Sequence, residues 1–157
     1  MSNHKQFMQR AIDLAYENVI QNNSGPFGAI IVKNNEIIAE GVNLVTVTND
    51  PTAHAEIVAI RNACKKLNSF QLIDCVMYSS CEPCPMCLGA IFWARPQKVY
   101  FAATAQDAAK INFDDAFIYE QLNRKHEERA IPFIKLDVQE HLKPFNAWQE
   151  FENKIVY

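Results

Sequence analysis

His54-Ala55-Glu56 and, further along, Pro83-Cys84-Pro85-Met86-Cys87 set a histidine, a carboxylate and two cysteines on two segments that must fold against each other to be of use. These residue types suit zinc, which is usually four-coordinate with nitrogen and sulfur ligands. A structural zinc site takes all four ligands from protein, whereas a catalytic one takes three and keeps the fourth position for a water that it acidifies. His54, Cys84 and Cys87 make three ligands, and Glu56 is left as a free carboxylate able to move protons. The pattern points to hydrolysis assisted by one Zn2+ per chain. Cys81 stands at the same spacing from Cys84 as Cys87 does, so zinc alone prefers neither. Pro83 and Pro85 bracket Cys84 at a helix entry, and the i, i+3 relation across the following turn favours Cys87.

Two plainer readings compete. The motif could be a zinc clip that only ties two helices together, but a chain of 157 residues, 49% of them hydrophobic, can build a core without a metal. A carboxylate beside a ligand also has an evident use only when there is a proton to move. Alternatively, His54 is a buried helix histidine and the cysteine pair is accidental, a reading that must explain both halves of the motif at once. His4, His126 and His141, single histidines in terminal or charged surroundings, read as solvated and receive no role. Cys64 and Cys75 read as small core residues, and Cys81 as the end of a strand.

Composition narrows the classes further. Residues Met1 to Phe7 lack the basic-then-apolar pattern of a signal peptide, and Met86 to Ala94 falls well short of the roughly 20 residues that span a bilayer. A cytoplasmic protein without membrane contact is expected. Five cysteines, an odd number, fit reduced thiols and metal ligation better than a disulfide framework. The net charge is −3, and lysines and arginines alternate with carboxylates, as in Arg124-Lys125-His126-Glu127-Glu128-Arg129, so no nucleic-acid partner is expected.

The chain reads as alternating helices and strands in one domain over 1–157. Phe7, Ala11, Leu14 and Val19 recur at helical spacing before Asn22 to Pro26 breaks the pattern. Phe27 to Lys33 and Glu36 to Gly41 read as strands joined by an Asn34-Asn35 turn. Asp50-Pro51 predicts a helix start, with Ala53, Ile57, Ile60, Cys64 and Leu67 on one face and His54 in the first turn. Asp74 to Ser79 reads as a strand, Pro85 to about Arg95-Pro96 as a helix, and Lys98 to Ala102 as the next strand, a βαβ unit. Pro132 to Leu136 is expected as a last strand, before a C-terminal helix on which Trp148, Phe151 and Ile155 share a face. This order brings two helix N-termini to one metal, where their dipoles favour thiolate ligands. His54 and Glu56 do not share a helix face, so they can converge only near the helix end.

The chain resembles the cytidine deaminase superfamily and, within it, the bacterial guanine deaminases. The likeness is carried by Gly25-Pro26-Phe27-Gly28-Ala29, the stretch Asn49 to Glu56, the stretch Ser80 to Ala90, and Phe113-Asp114-Asp115. The zinc motif marks the superfamily; choice of guanine rests on Trp93-Ala94-Arg95-Pro96, the Phe113-Asp114-Asp115 turn and the C-terminal Asn153 to Tyr157. The resemblance implies a three-layer α/β/α sandwich around a mixed five-stranded sheet, assembled as a homodimer, with the segment from about 141 to 157 exchanged between subunits. It implies hydrolysis of guanine to xanthine, with Glu56 taking a proton from the metal-activated water and delivering protons to ring nitrogen and leaving amine. For the base it implies Phe27 as stacker, Asn43 as amide reader, Asp115 as acceptor, and Trp93 and Tyr157 at the pocket, with Tyr157 as a cap. Against these stand plain roles: Phe27 in the core, Asn43 in a turn, Asp114 or Asp115 capping a helix, Tyr157 packing on its own subunit.

Other functions share the motif. A tRNA adenosine deaminase would need cationic side chains for phosphates, and Asn146 to Tyr157 offers one Lys against two Glu. A zinc-binding scaffold without activity would have no use for Glu56. Cytosine, triazines and other small amino-heterocycles fit the same chemistry.

Overall fold

In the computed structural model, which describes residues 3–157, helix α1 (His4–Asn22) buries Phe7, Ala11, Leu14, Ala15 and Asn18. Val19, expected on that side, is 39% exposed, and the buried place is taken by Asn18, whose amide donates to the Gly25 and Asn43 carbonyls. Strands β1 (Gly28–Lys33) and β2 (Glu36–Val42) form the expected hairpin, with Asn34 and Asn35 both left-handed in the turn. A short helix α2 (Val45–Thr48) precedes α3 (Ala55–Leu67). Then come β3 (Val76–Cys81), α4 (Pro85–Ala94), β4 (Lys98–Ala103), α5 (Ala105–Ala109) and α6 (Ala116–Leu122).

The sheet has four strands in the order β2-β1-β3-β4, with β3 and β4 parallel and the other pairs antiparallel. Strand β1 lies inside the sheet and is covered on both faces, which accounts for its unbroken apolar run. Ile30, Val32 and Tyr78 face α1, whereas Ala29, Ile31 and Met77 share the other side with residues of α3 and α4. The three-layer α/β/α arrangement is therefore present.

The expected helix start at Asp50-Pro51 is displaced. Asp50 Oδ1 instead accepts from the Thr52 N–H and hydroxyl, closing a turn, and α3 begins four residues later with His54 as its N-cap. Helix α3 then lies very close to the sheet, because its inward stripe is Ala55, Ala59 and Ala63 and the strand beneath it carries Gly41. A Cβ at Gly41 would come within 2.3 Å of the Ala55 carbonyl oxygen and 2.4 Å of the Ala59 nitrogen. A Cβ at Gly28 would meet the α1 backbone in the same way, 2.4 Å from the Ala11 oxygen. Among the described residues the left-handed positions are filled otherwise: six of the nine are asparagine, including Asn23, Asn49 and Asn68 at helix C-caps, and none is glycine.

The described residues divide into two units, one ending at Ala116 and one over Phe117–Tyr157. The second holds most of α6, a 3-10 turn (His126–Glu128) and α7 (Lys143–Glu150). Pro132 to Leu136 forms no strand, so the sheet has four strands where five were expected. The segment is extended but has no ladder: the Phe133 N–H goes to the His126 carbonyl, the Phe133 ring lies under the Arg129 guanidinium, and Ile134 and Leu136 are exposed. High β-propensity reflects fit to a pleated, half-buried surface, and this unit offers no such surface. Helix α7 also stops before Phe151, so Ile155 does not share a helical face with Trp148. No helix among the described residues is long and apolar enough to cross a membrane.

Gly41→Ala should lower stability by about 1–3 kcal/mol or more, since the added methyl meets helix backbone and no movable side chain. Urea unfolding followed by circular dichroism measures it, and an unchanged midpoint would contradict the close seating of α3.

Candidate active site

Two helices of the first unit begin on residues that are poor helix caps. His54 precedes α3 and Cys84 precedes α4, where Ser, Thr, Asp or Asn would be preferred. Both are extended at the cap position, and Pro85 sets the first turn of α4. Local preference yields here to what the side chains do together. His54 Nδ1 lies 3.5 Å from Cys84 Sγ and 3.6 Å from Cys87 Sγ, and the three donor atoms lie within 4.8 Å of one another. Zinc bonds of about 2.0 Å to nitrogen and 2.3 Å to sulfur, held tetrahedrally, imply nitrogen–sulfur separations of roughly 3.6 Å. The donor set fits the metal in type and spacing. Cys81, at the same sequence spacing, is turned elsewhere: its sulfur faces the Thr104 carbonyl, and burial pushes its thiol up to about 11.

The electrostatics agree. The Cys87 thiol donates toward the Cys84 sulfur, which together with the His54 imidazole holds the Cys84 thiol down at about 4. Cys87 is pushed up, first by the hydrogen bond that its thiol makes to Cys84 while keeping its proton, then by burial and the Glu56 charge. His54 is raised chiefly by its bond to Cys84. Without a metal, the pair supports one thiolate and retains one proton. A dication held by these residues would allow both thiols to ionise.

Glu56, in the first turn of α3, is only 6% exposed. Burial raises its proton affinity, opposed by its backbone N–H and by donors from Cys87 and Ser79. Its Oε2 lies 3.5 Å from Cys87 Sγ, and its Oε1 accepts from the Ser79 hydroxyl at 3.2 Å. It stands beside the ligand set with a carboxyl biased toward holding a proton, as an acid/base group requires. Sequence reading gave Ser79 no role. The available signal was a serine two residues after Met77, and so on the same inward face of β3.

The residues expected around the base divide. Phe27 packs against the α3-side core and meets the Phe113 ring edge-on, with centroids 4.9 Å apart. Asn43 is buried, its Oδ1 accepting from the Val45 N–H at 3.2 Å, and its backbone is tied to Phe27. The next residue, Leu44, is bonded to Ala53, directly before His54. Of the two aspartates, Asp114 takes the turn role by accepting from the Ala116 N–H at 2.9 Å. Asp115 is raised, first by burial and also by the charge of Cys84. Trp93 lies on the exposed side of α4, whose buried side is Cys87, Ile91 and Ala94. Tyr157 ends the second unit. His4, read as solvated, instead accepts or donates at 2.6 Å with the buried Tyr78 hydroxyl, on the α1 face of the sheet.

Residues 1–103 match the model of the cytidine and deoxycytidylate deaminase zinc-binding region. The chain is 58% identical over 155 residues, 99% of each chain, to guanine deaminase of Bacillus subtilis (strain 168). The X-ray structure of guanine deaminase from Bacillus subtilis superposes with a TM-score of 0.97, again covering 99% of both chains at 58% identity. The tRNA-specific adenosine deaminase of Aquifex aeolicus is 50% identical over only 78 residues, about half of each chain (50% of this one and 52% of the other). With the zinc-binding region matched through β4 and the whole length shared with a guanine deaminase, the chain belongs to the cytidine and deoxycytidylate deaminase family, alongside the bacterial guanine deaminases.

Proposed function

We propose that this chain hydrolyses guanine to xanthine and ammonia. The observation that carries the reading is the gathering of His54, Cys84, Cys87 and the buried carboxyl of Glu56 in a chain related over its whole length to a guanine deaminase. His54 Nδ1, Cys84 Sγ and Cys87 Sγ are the atoms that would hold zinc, which when bound supplies a water acidic enough to yield a nucleophile near neutral pH. Glu56 accepts a proton at Oε2, the oxygen beside the ligand set, and passes it to the base. In the balance of the reaction a C2–O bond forms, the C2–N bond to the amine breaks, one water proton goes to N3 and the other leaves with ammonia. A buried carboxyl with raised proton affinity can serve as both base and acid in that sequence.

The base itself would stack on Phe27, present an edge to the Asn43 amide and give N–H groups to Asp115, with Trp93 at the pocket. Support comes from the placement of Phe27 and Asn43 on one backbone connection and of Asp115 within electrostatic reach of Cys84. The working form is a homodimer acting in the cytoplasm on the free base, with the segment from about 141 to 157 exchanged so that the partner subunit's Tyr157 caps the purine. Exposed apolar side chains along the second unit, Ile131, Ile134, Leu136 and Phe145 among them, favour that covering. Similarity to tRNA-specific adenosine deaminases covers from 50% to 68% of the chain, against 99% for the guanine deaminase, and Asn146 to Tyr157 offers one Lys against two Glu where an anticodon arm would need cationic side chains.

Purified protein should carry about one zinc per chain by elemental analysis, and a Cys84→Ala, Cys87→Ala double variant should carry none. Metal retained in that variant would overturn the ligand assignment. Guanine should be converted to xanthine, followed in the ultraviolet, while adenosine in a tRNA anticodon stem is untouched; inosine formed with guanine unchanged would reverse the reading. Glu56→Ala should keep zinc and fold and lose turnover by roughly 10²–10⁴-fold. Deleting Lys154 to Tyr157 should abolish guanine turnover with zinc and melting temperature retained, and unchanged kinetics would rule out the cap.

A further inference from the structure

The strand that passes beneath Glu56 carries two adjacent serines, and they do different work. Ser80, on the face toward α1, accepts the Gly28 N–H at 3.0 Å and so completes the backbone pairing of the sheet. Ser79 points the other way, in register with Ala29 and Phe101 on the neighbouring strands and on the same face as Met77. It is 2% exposed in surroundings where an aliphatic side chain would pack without cost. Its hydroxyl donates to Glu56 Oε1 at 3.2 Å. Burying a hydroxyl is unfavourable unless it is bonded, so this serine is accounted for by its partner and not by the strand.

The other oxygen of Glu56 faces the Cys87 sulfur. That contact depends on a thiol proton, and a thiolate that ligates zinc has none to give. In the metal-loaded enzyme Ser79 is therefore the side-chain donor left to hold the carboxyl. The terminal torsion of a glutamate has a broad, nearly two-fold well, so the carboxyl plane is free to turn unless something fixes it. A hydroxyl on Oε1 fixes it and makes the two oxygens unequal: Oε1 is anchored, and Oε2 is the one that takes and returns the proton. The hydroxyl serves both states, donating to the carboxylate and, once Oε2 is protonated, to the carbonyl oxygen that remains.

We propose that Ser79 is a positioning residue for Glu56, holding Oε1 so that Oε2 stays aimed at the reacting atoms throughout turnover. This rests on the guanine-deaminating reading above. Ser79→Ala in the zinc-loaded enzyme should keep about one zinc per chain, the wild-type melting temperature and a similar KM for guanine, while kcat falls roughly 10–100-fold, the range for lost outer partners of a working group. Ser79→Thr and Ser79→Val have the same volume and differ by one hydroxyl; the threonine variant should retain most of kcat and the valine variant should behave like alanine. In a Glu56→Ala background, Ser79→Ala should add no further loss. A Ser79→Ala kcat within about twofold of wild type, a loss confined to KM or zinc content, or equal kcat in the Thr and Val variants would each overturn the proposal. If Ser79→Ala does not fold, the Thr and Val pair decides alone. Wild-type protein that leaves guanine unchanged would instead overturn the functional reading, before any variant is compared.

Discussion

The backbone of α3 touches the backbone of β2 at Gly41, and the site depends on that contact. The residue whose carbonyl meets Gly41 is Ala55, which separates His54, of the proposed ligand set, from the buried carboxyl of Glu56. With alanines along the inward stripe, the helix lies against the sheet at the smallest separation side chains permit, and its first turn has no room to shift. Glu56 is thereby pressed into the space above β3, where Ser79 meets it, and His54 is held toward the start of α4.

Two cap positions supply what the metal needs. Cys84 is the N-cap of α4 and Glu56 lies in the first turn of α3, so negative charge on the Cys84 sulfur and on the Glu56 carboxylate stands where helix dipoles favour it. The same crowding of anions makes the metal-free site reluctant to lose its last thiol proton. Zinc and the proton thus compete for one anionic arrangement, and binding the ion would release the proton that the metal-free site holds tightly.

Much of this was legible in the sequence because the decisive signals are local. The proline on either side of Cys84, the histidine two residues before a carboxylate and the asparagine pair between two apolar runs each determine their own surroundings. Signals that several structures can satisfy were misread. Asp50-Pro51 reads as a helix start, yet the Asp50 carboxylate is equally content closing a turn with Thr52. Pro132 to Leu136 has strand composition but lacks a neighbour to pair with. His4 and Ser79 could not be placed at all, because their roles come from partners, Tyr78 and Glu56, that only the tertiary fold brings near.

The division of labour between asparagine and glycine has a consequence for how the chain tolerates change. An asparagine in the left-handed region carries some strain that glycine would avoid, but it leaves the unfolded chain fewer conformations to lose, worth about 0.4–1 kcal/mol per position. The two effects oppose each other at helix C-caps such as Asn23 and Asn68, where glycine would also fit the left-handed backbone. The glycines under α1 and α3 enjoy no such latitude, since what they provide is an absence of atoms. A lineage can therefore reshape the rim of this domain turn by turn while the spacing between helix and sheet, and with it the chemistry, stays locked.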